Sequence, residues 1–128
     1  MAKFDPRRGE IWKVRFESAR GHEIRKARPS LVINTPRAGR KDMRIIIPIT
    51  TGQEKYVNLA WMVKILADSA NGLDNDSFAD ASQVQPASLK RFVDKKGLLQ
   101  SQADLDKISE AVALCVGYDP SRRKRRRK

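Results

Sequence analysis

The sequence predicts a mainly β fold, a small twisted β-barrel with helical additions that ends in one C-terminal α-helix. Two patterns support this fold class. Short alternating or β-branched apolar segments recur through the first two-thirds of the chain, and residues 103–116 carry apolar side chains at helical spacing. The chain has 128 residues, enough for one domain that buries a core. We expect that domain at residues 1–118 and a disordered basic tail at residues 119–128.

The first strand is expected at residues 10–16, because Trp12 and its apolar neighbours two positions apart alternate with charged residues. A polar loop leads to a short apolar strand that follows Pro29. The next strand is the β-rich run IIIPITT at residues 45–51. Its proline, Pro48, cannot donate a hydrogen bond to a neighbouring strand, which predicts a sheet edge or a bulge there.

Residues 56–66 alternate clearly between apolar and polar side chains, which predicts a strand with Trp61 on its core-facing side. Turn-forming residues follow at 71–76, and their acidic and amide side chains are more typical of a turn than of a cation site. Residues 78–84 form a weaker, more polar strand candidate. Residues 90–99 remain ambiguous.

The C-terminal helix begins after a cap signature, Ser101 followed by Asp104, and Gly117 ends it. The apolar stripe of this helix consists of Leu105, Ile108, Val112 and Cys115. Cys115 is therefore expected to pack in the core and not to act as a nucleophile.

The net charge of +12, from 27 Lys and Arg against 15 Asp and Glu, is concentrated in two segments. Residues 122–128 (RRKRRRK) contribute +7, and residues 20–44 contribute +6 from eight basic and two acidic residues. Basic segments of this kind gain by releasing counterions from nucleic acid, so a phosphate-rich partner is expected.

Membrane association and metal binding are not expected. The tail has no apolar residues to insert into a bilayer, and no stretch approaches membrane-spanning length. The N-terminus lacks a secretory signal, and a single cysteine fits a reducing compartment, so we expect a cytoplasmic protein. One cysteine and one histidine do not make a structural zinc site, and we expect no metal and no cofactor.

A basic β-protein could simply bind nucleic acid, so catalysis needs evidence of its own. Cleavage of RNA without a metal requires a base for the 2′-OH, positive charge beside the phosphorus, and a means of stabilising the leaving 5′-oxygen. His22 and Glu23 lie in a loop that could fold over the start of the strand at Arg28. Arg28 could present its guanidinium to a phosphate, and Thr50 and Thr51 end a buried strand where hydroxyls could bind phosphate oxygens. Ordinary surface and turn residues explain each of these features as well.

The polar strand candidate offers two further residues. If residues 78–84 are extended, Asp80 and Ser82 share a face while Gln83 points the other way. Asp80 could then be a base, and Gln83 could read the edge of an RNA base. A partly exposed polar strand accounts equally well for both.

Four segments in order give the chain a recognisable pattern: RGEIW at 8–12, GHE at 21–23, RPSLVI at 28–33 and IPITTG at 47–52. With these segments the chain resembles the PemK/MazF family of toxin endoribonucleases from bacterial toxin–antitoxin systems. A weaker match begins at residue 76, reaches Gln83 and is followed by the amphipathic helix. The resemblance covers residues 7–117.

The resemblance implies an SH3-like barrel of the CcdB/PemK type with a C-terminal helix, assembled as a homodimer. It implies metal-independent cleavage of single-stranded RNA to a 2′,3′-cyclic phosphate and a 5′-hydroxyl. The expected partners are a cognate antitoxin with an acidic flexible segment and, for the toxin–antitoxin complex, operator DNA.

Carried over by motif, Arg28 stabilises the phosphorane, Thr50 binds a phosphate oxygen, and His22 and Glu23 bind RNA or assist proton transfer. Some members have an acid immediately before the residue matched by Gln83, and an arginine two positions before that acid. Ser82 and Asp80 stand there instead, so the general base stays open between Asp80, Glu23 and His22. The residues expected to bind RNA are Thr51, Ser82, Gln83, Arg20, Arg25, Lys26, Arg37, Arg40 and Lys41.

Two other functions remain open from the sequence. One is a non-catalytic, nucleic-acid-binding or regulatory module on the same barrel, which the departure at Asp80 and Ser82 favours. The other is a ribosomal or chromatin-type barrel, for which the basic tail alone speaks.

Overall fold

The computed structural model describes residues 4–16, 26–119 and 121, with only the backbone of Lys26. The described residues form strands β1 to β7 and the helix α1, with bounds as follows: β1 Glu10–Phe16, β2 Lys26–Val32, β3 Met43–Thr51, β4 Met62–Ile65, β5 Ser77–Asp80, β6 Gln85–Ser88, β7 Phe92–Leu98 and α1 Gln102–Cys115. The predicted mainly β fold with a C-terminal helix is confirmed. None of the described helices is long and apolar enough to cross a membrane.

The strands form one antiparallel sheet in the order β4-β5-β3-β2-β1-β7, and β6 pairs with the first half of β3. The long strand β3 is the centre of this sheet. On one side it pairs with β2, and on the other it pairs first with β6 and then with β5.

Both faces of the central strands are buried. Ile47 and Ile49 belong to the larger apolar cluster, in which α1 covers one face through Leu105 and Ile108. Ile46 belongs to a second cluster that includes Trp12, Val14, Val32 and Phe92 on the other face. A strand buried on both faces needs a nearly continuous apolar run, which explains the sequence at 45–49.

The prolines explain where β2 and β3 separate. Hydrogen-bonding positions alternate along an antiparallel pair, and Ile33 N–H donates to the Ile45 carbonyl (2.9 Å). Every second residue of β2, counted back from Ile33, can therefore donate its N–H to β3. Pro29 is one of these residues, but a proline has no N–H to donate. The pairing ends at Ser30 and Pro48. Pro48 lies in the central strand, so the expected sheet edge is wrong; it falls where the opposite side changes from β6 to β5.

The strand predicted at residues 56–66 is only partly correct. A 3₁₀ helix occupies Glu54–Asn58, and successive turns continue to Met62, where β4 begins. Trp61 therefore lies before the strand and is 40% exposed, so its predicted core position is wrong. Trp12, in contrast, is buried as predicted.

Residues 78–84 are also divided. The strand β5 stops at Asp80 and a 3₁₀ turn spans Ala81–Gln83. The ambiguous segment at 90–99 contains the strand β7.

The helix α1 has the predicted cap, in which Ser101 Oγ accepts from Asp104 N–H (3.1 Å). Cys115 is exposed and its expected packing is wrong, because the last turn of α1 extends past the core.

Candidate active site

A cleft of about 390 Å³ opens where β2 and β3 separate. It brings together three residues that the sequence singled out: Arg28, Thr50 and Thr51. The complete lining is Arg28, Pro29, Ile49, Thr50, Thr51, Leu73, Asp74, Asn75, Ser77 and Lys96. The cleft thus combines two cations, a carboxylate and two threonine hydroxyl groups with an apolar floor.

The strand register explains why Arg28 and Thr50 meet. Ser30 lies opposite Pro48, so continued pairing would place Arg28 opposite Thr50. The two residues stay on the same face of the sheet, but β2 continues with β1 while β3 continues with β5. The space between the separated strands is the cleft, and its two walls carry the guanidinium and the hydroxyl.

Arg28 is available to a ligand. Its side chain lines the open cleft, and within the described parts of the chain its guanidinium makes no hydrogen bond or ion pair. Thr50 is half-buried and Thr51 is exposed. A planar guanidinium with free N–H groups beside hydroxyls is well suited to the oxygens of a phosphodiester.

Asp80, Ser82 and Gln83 also come together, but not as an extended strand. Ser82 N–H and Oγ–H both donate to Asp80 Oδ1 (3.1 and 2.6 Å), and Gln83 Nε2–H donates to Oδ2 (3.1 Å). The expected separation of Ser82 and Gln83 onto two faces is wrong, because the backbone turns to let Asp80 cap it. These three residues are not part of the cleft lining.

The predicted basic residues Arg37, Arg40 and Lys41 lie on an exposed loop at the other end of the β2–β3 pair. This end holds a second pocket of about 520 Å³, whose lining includes Arg40, Lys41, Arg7, Arg8 and Arg44 together with Asp5. It lies about 20 Å from the cleft, taking six residues of strand at about 3.3 Å each.

Four predicted site residues fall outside the described residues: Arg20, His22, Glu23 and Arg25. Lys26 is described by its backbone alone, which pairs with Phe16. The described part of the chain contains no group of three His, Cys, Asp or Glu side chains that could hold a metal ion.

Two cleft residues were missed by the sequence reasoning, Asp74 and Lys96. Asp74 was interpreted only as part of a turn, and Lys96 lay in the ambiguous segment before β7 was known. The sequence pattern offers no signal for Lys96, because its place in the cleft depends on pairing between distant strands.

The antiparallel sheet is covered by a C-terminal helix, and an arginine and two threonines line the cleft where two of its strands separate. These features define a small barrel with a cleft suited to phosphate. The chain belongs to the PemK-like, MazF-like toxin family of type II toxin–antitoxin systems, whose family model matches residues 7–116. It is 31% identical to endoribonuclease MazF9 of Mycobacterium tuberculosis, over 84% of this chain and 93% of that protein.

Solved structures show the same fold. A MazF from Deinococcus radiodurans matches with a TM-score of 0.71 at 17% identity, covering 91% of this chain and 100% of that chain. A mycobacterial endoribonuclease in complex with its cognate antitoxin matches with a TM-score of 0.67 at 19% identity, covering 90% and 98%. The SH3-like barrel with a C-terminal helix expected from the sequence is therefore confirmed.

Proposed function

We propose that this protein is an endoribonuclease toxin that cleaves single-stranded RNA without a metal, leaving a 2′,3′-cyclic phosphate and a 5′-hydroxyl. The observation that carries the proposal is the cleft in which the guanidinium of Arg28, without a partner among the described residues, lies across from Thr50. The relative at 31% identity is named an endoribonuclease, which supports this class of reaction.

In this mechanism the scissile phosphate lies between the separated ends of β2 and β3. The Arg28 guanidinium donates to the non-bridging oxygens and binds them more tightly as negative charge accumulates in the phosphorane. Thr50 donates its hydroxyl proton to one of the same oxygens, and Thr51 binds a neighbouring phosphate. Arg28 does not supply the proton for the leaving oxygen, since a guanidinium does not deprotonate near neutral pH.

The test is incubation of the purified protein with a long RNA of varied sequence in EDTA, followed by mapping of the new 5′ ends. We expect cuts at a short recurring sequence, with cyclic phosphate on the upstream fragment. Thr50→Val, which keeps the shape and removes the hydroxyl, should slow cleavage by about tenfold, the loss of one hydrogen bond to a charged group. A folded wild-type protein that leaves this RNA intact would rule the proposal out.

A non-catalytic RNA-binding module is the second candidate. It is favoured by Asp80, one of the proposed bases, whose two carboxylate oxygens are already engaged by Ser82 and Gln83. In that case RNA would be retained in a binding assay but no new ends would appear. Arg28→Ala would then weaken binding only modestly.

An antitoxin with an acidic flexible segment is the proposed protein partner, and the active form is proposed to be a homodimer in the cytoplasm. Relatives solved together with their antitoxins support the first point. The excess positive charge of residues 20–44 is complementary to the charge of an acidic segment. Co-expression with the protein encoded by an adjacent reading frame should yield a complex that no longer cleaves RNA and that binds operator DNA.

A further inference from the structure

We propose that Asp74 is the general base and Lys96 the general acid of the cleft, an assignment that rests on the proposed RNA cleavage. Both side chains line the cleft together with Arg28 and Thr50. The assignment answers a question that the sequence leaves open, because the bases considered there were Asp80, Glu23 and His22.

The turn that carries Asp74 is held by its neighbours. Asn71 is 1% exposed; its Nδ2–H donates to the Leu66 carbonyl (2.8 Å) and its Oδ1 accepts from Leu73 N–H (3.0 Å). Asp76 Oδ1 accepts from Ala67 N–H (2.8 Å). Polar side chains on both sides of Asp74 thus have structural partners that fix the path of the backbone.

The side chain of Asp74, in contrast, does not take part in holding this turn among the described residues. Its side chain is exposed, and no other residue in the described ranges donates a hydrogen bond or forms an ion pair to it. Asp80, in contrast, caps a 3₁₀ turn with both oxygens and lies outside the cleft lining. A carboxylate with free lone pairs on an anchored turn is the better base.

The same turn packs directly on the strand that carries Lys96. Leu98 N–H donates to the Ala70 carbonyl (2.8 Å), so the two backbones are in contact. A Cβ added at Gly72 would lie 2.2 Å from the Lys96 carbonyl oxygen, and one added at Gly97 would lie 2.3 Å from the Ala70 oxygen. Only glycine fits at both positions, and their close approach sets Asp74 and Lys96 on adjoining walls of one cleft.

A bulge in β7 places Lys96 in the cleft. Ile11 pairs with Gly97, whereas the next residue, Trp12, pairs with Lys95. Lys96 is the extra residue between them, and a bulged residue departs from the regular alternation of side chains. Lys95 is engaged with Glu10 (3.0 Å), whereas Lys96 makes no ion pair with any described residue.

The reaction balances with these two groups. The Asp74 carboxylate accepts the proton of the 2′-OH as its oxygen forms a bond to phosphorus. The bond from phosphorus to the 5′-oxygen breaks, and that oxygen receives a proton from the Lys96 ammonium. Arg28 and Thr50 stabilise the non-bridging oxygens throughout. Exchange with water then restores the carboxylate and the ammonium.

The base is tested with Asp74→Asn, which keeps the size of the side chain, against Asp94→Asn, which changes an exposed acid on β7 outside the cleft lining. At saturating enzyme, in single-turnover conditions, Asp74→Asn should slow cleavage by about 10²-fold or more, and Asp94→Asn should not. Affinity for the same RNA with one 2′-deoxy sugar at the cut should be unchanged.

The acid is tested with Lys96→Gln and Lys96→Arg against Lys90→Gln, an exposed control. Both Lys96 variants should slow cleavage of ordinary RNA by about 10²-fold, because arginine keeps the charge but does not release a proton. An RNA with sulfur in place of the leaving 5′-oxygen needs no proton donor, so the variants should cleave it within about threefold of the wild type. Equal losses on both substrates would overturn the acid role.

Failure of this inference is distinguishable from failure of the proposed function. If the wild type cleaves and Arg28→Ala does not, while Asp74→Asn cleaves within about threefold of the wild type, the base is elsewhere and the function stands. If the wild type produces no ends, the proposed function itself fails. Melting curves of each variant show that the comparison is made between folded proteins.

Discussion

The two ends of the β2–β3 pair both carry arginine, but its guanidinium groups have different partners at each end. At the loop end Arg44 is almost saturated, because its guanidinium donates to the carbonyls of Pro6 (2.7 Å), Lys41 (2.9 Å) and Met43 (2.8 Å) and to Asp5 (3.0 Å). At the other end the guanidinium of Arg28 has no partner among the residues that the structure describes.

This difference separates arginine that is used for structure from arginine that is available to a ligand. A guanidinium has five N–H donors in a fixed fork, and those already bound to backbone carbonyls cannot bind a phosphate. Arg44 ties the N-terminal segment to the loop after residue 40, and Arg8 similarly donates to the Ile33 carbonyl and to Ser109 Oγ. Positive charge alone therefore does not distinguish the two ends; they differ in whether the arginine N–H groups already have partners among the described residues.

The largest expected effect follows from Arg28→Ala. We expect cleavage to fall by about 10²–10³-fold, as when one donor to a developing oxyanion is removed, with little change in melting temperature. Arg28→Lys should recover only part of this loss, because an ammonium lacks the planar fork. If Arg28→Ala cleaved RNA at the wild-type rate, the unpaired guanidinium of Arg28 would have no role in the reaction.

Arg44→Ala should show the converse. Removing the guanidinium leaves two partly buried carbonyls, those of Pro6 and Met43, without this donor. We expect a loss of about 2–3 kcal/mol in the free energy of unfolding, measured with urea. The fraction that remains folded should cleave RNA at the normal rate. Loss of cleavage without loss of stability would mean that the loop end takes part in the reaction.

How far the sequence predicts this molecule depends on the range of the interactions involved. Alternation and caps are local, so β1, β3 and α1 are found close to their true bounds. Arg28 and Thr50, which the motif and the strand pattern both single out, lie in the same cleft. The sequence does not single out Lys96, because its position in the cleft comes from a bulge that exists only when β7 pairs with β1.

The segment RRKRRRK at residues 122–128, within the basic tail, tests whether positive charge outside the cleft contributes only to RNA affinity. Deleting it should weaken RNA binding by about tenfold at moderate salt. The dependence on salt should become shallower, by about 0.7 in slope for each RNA phosphate that the tail neutralises in the full-length protein. Cleavage at saturating RNA should be unchanged. If the deletion abolished cleavage under those conditions, the tail would belong to the reactive site.

The smallest expected effect concerns Glu10, whose carboxylate can be compared with that of Asp74. Glu10 is a carboxylate with partners: it accepts from Arg7 N–H (2.9 Å) and Trp12 Nε1–H (2.9 Å) and pairs with Lys95 (3.0 Å). Burial by itself raises the pKa of Glu10, but these three donors outweigh it and hold the pKa below its ordinary value.

Because the folded pKa is lowered, Glu10 stabilises the protein fully above the ordinary glutamate value of about 4.3 and loses this contribution as the pH falls through the folded value. Glu10→Gln should therefore cost about 1 kcal/mol of unfolding free energy at pH 7, and the difference from the wild type should shrink from about pH 5 downward. Cleavage at pH 7 should be normal, unlike that of Asp74→Asn. If the stability difference between Glu10→Gln and the wild type stayed constant down to pH 3, the negative charge of Glu10 would not be the source of its contribution.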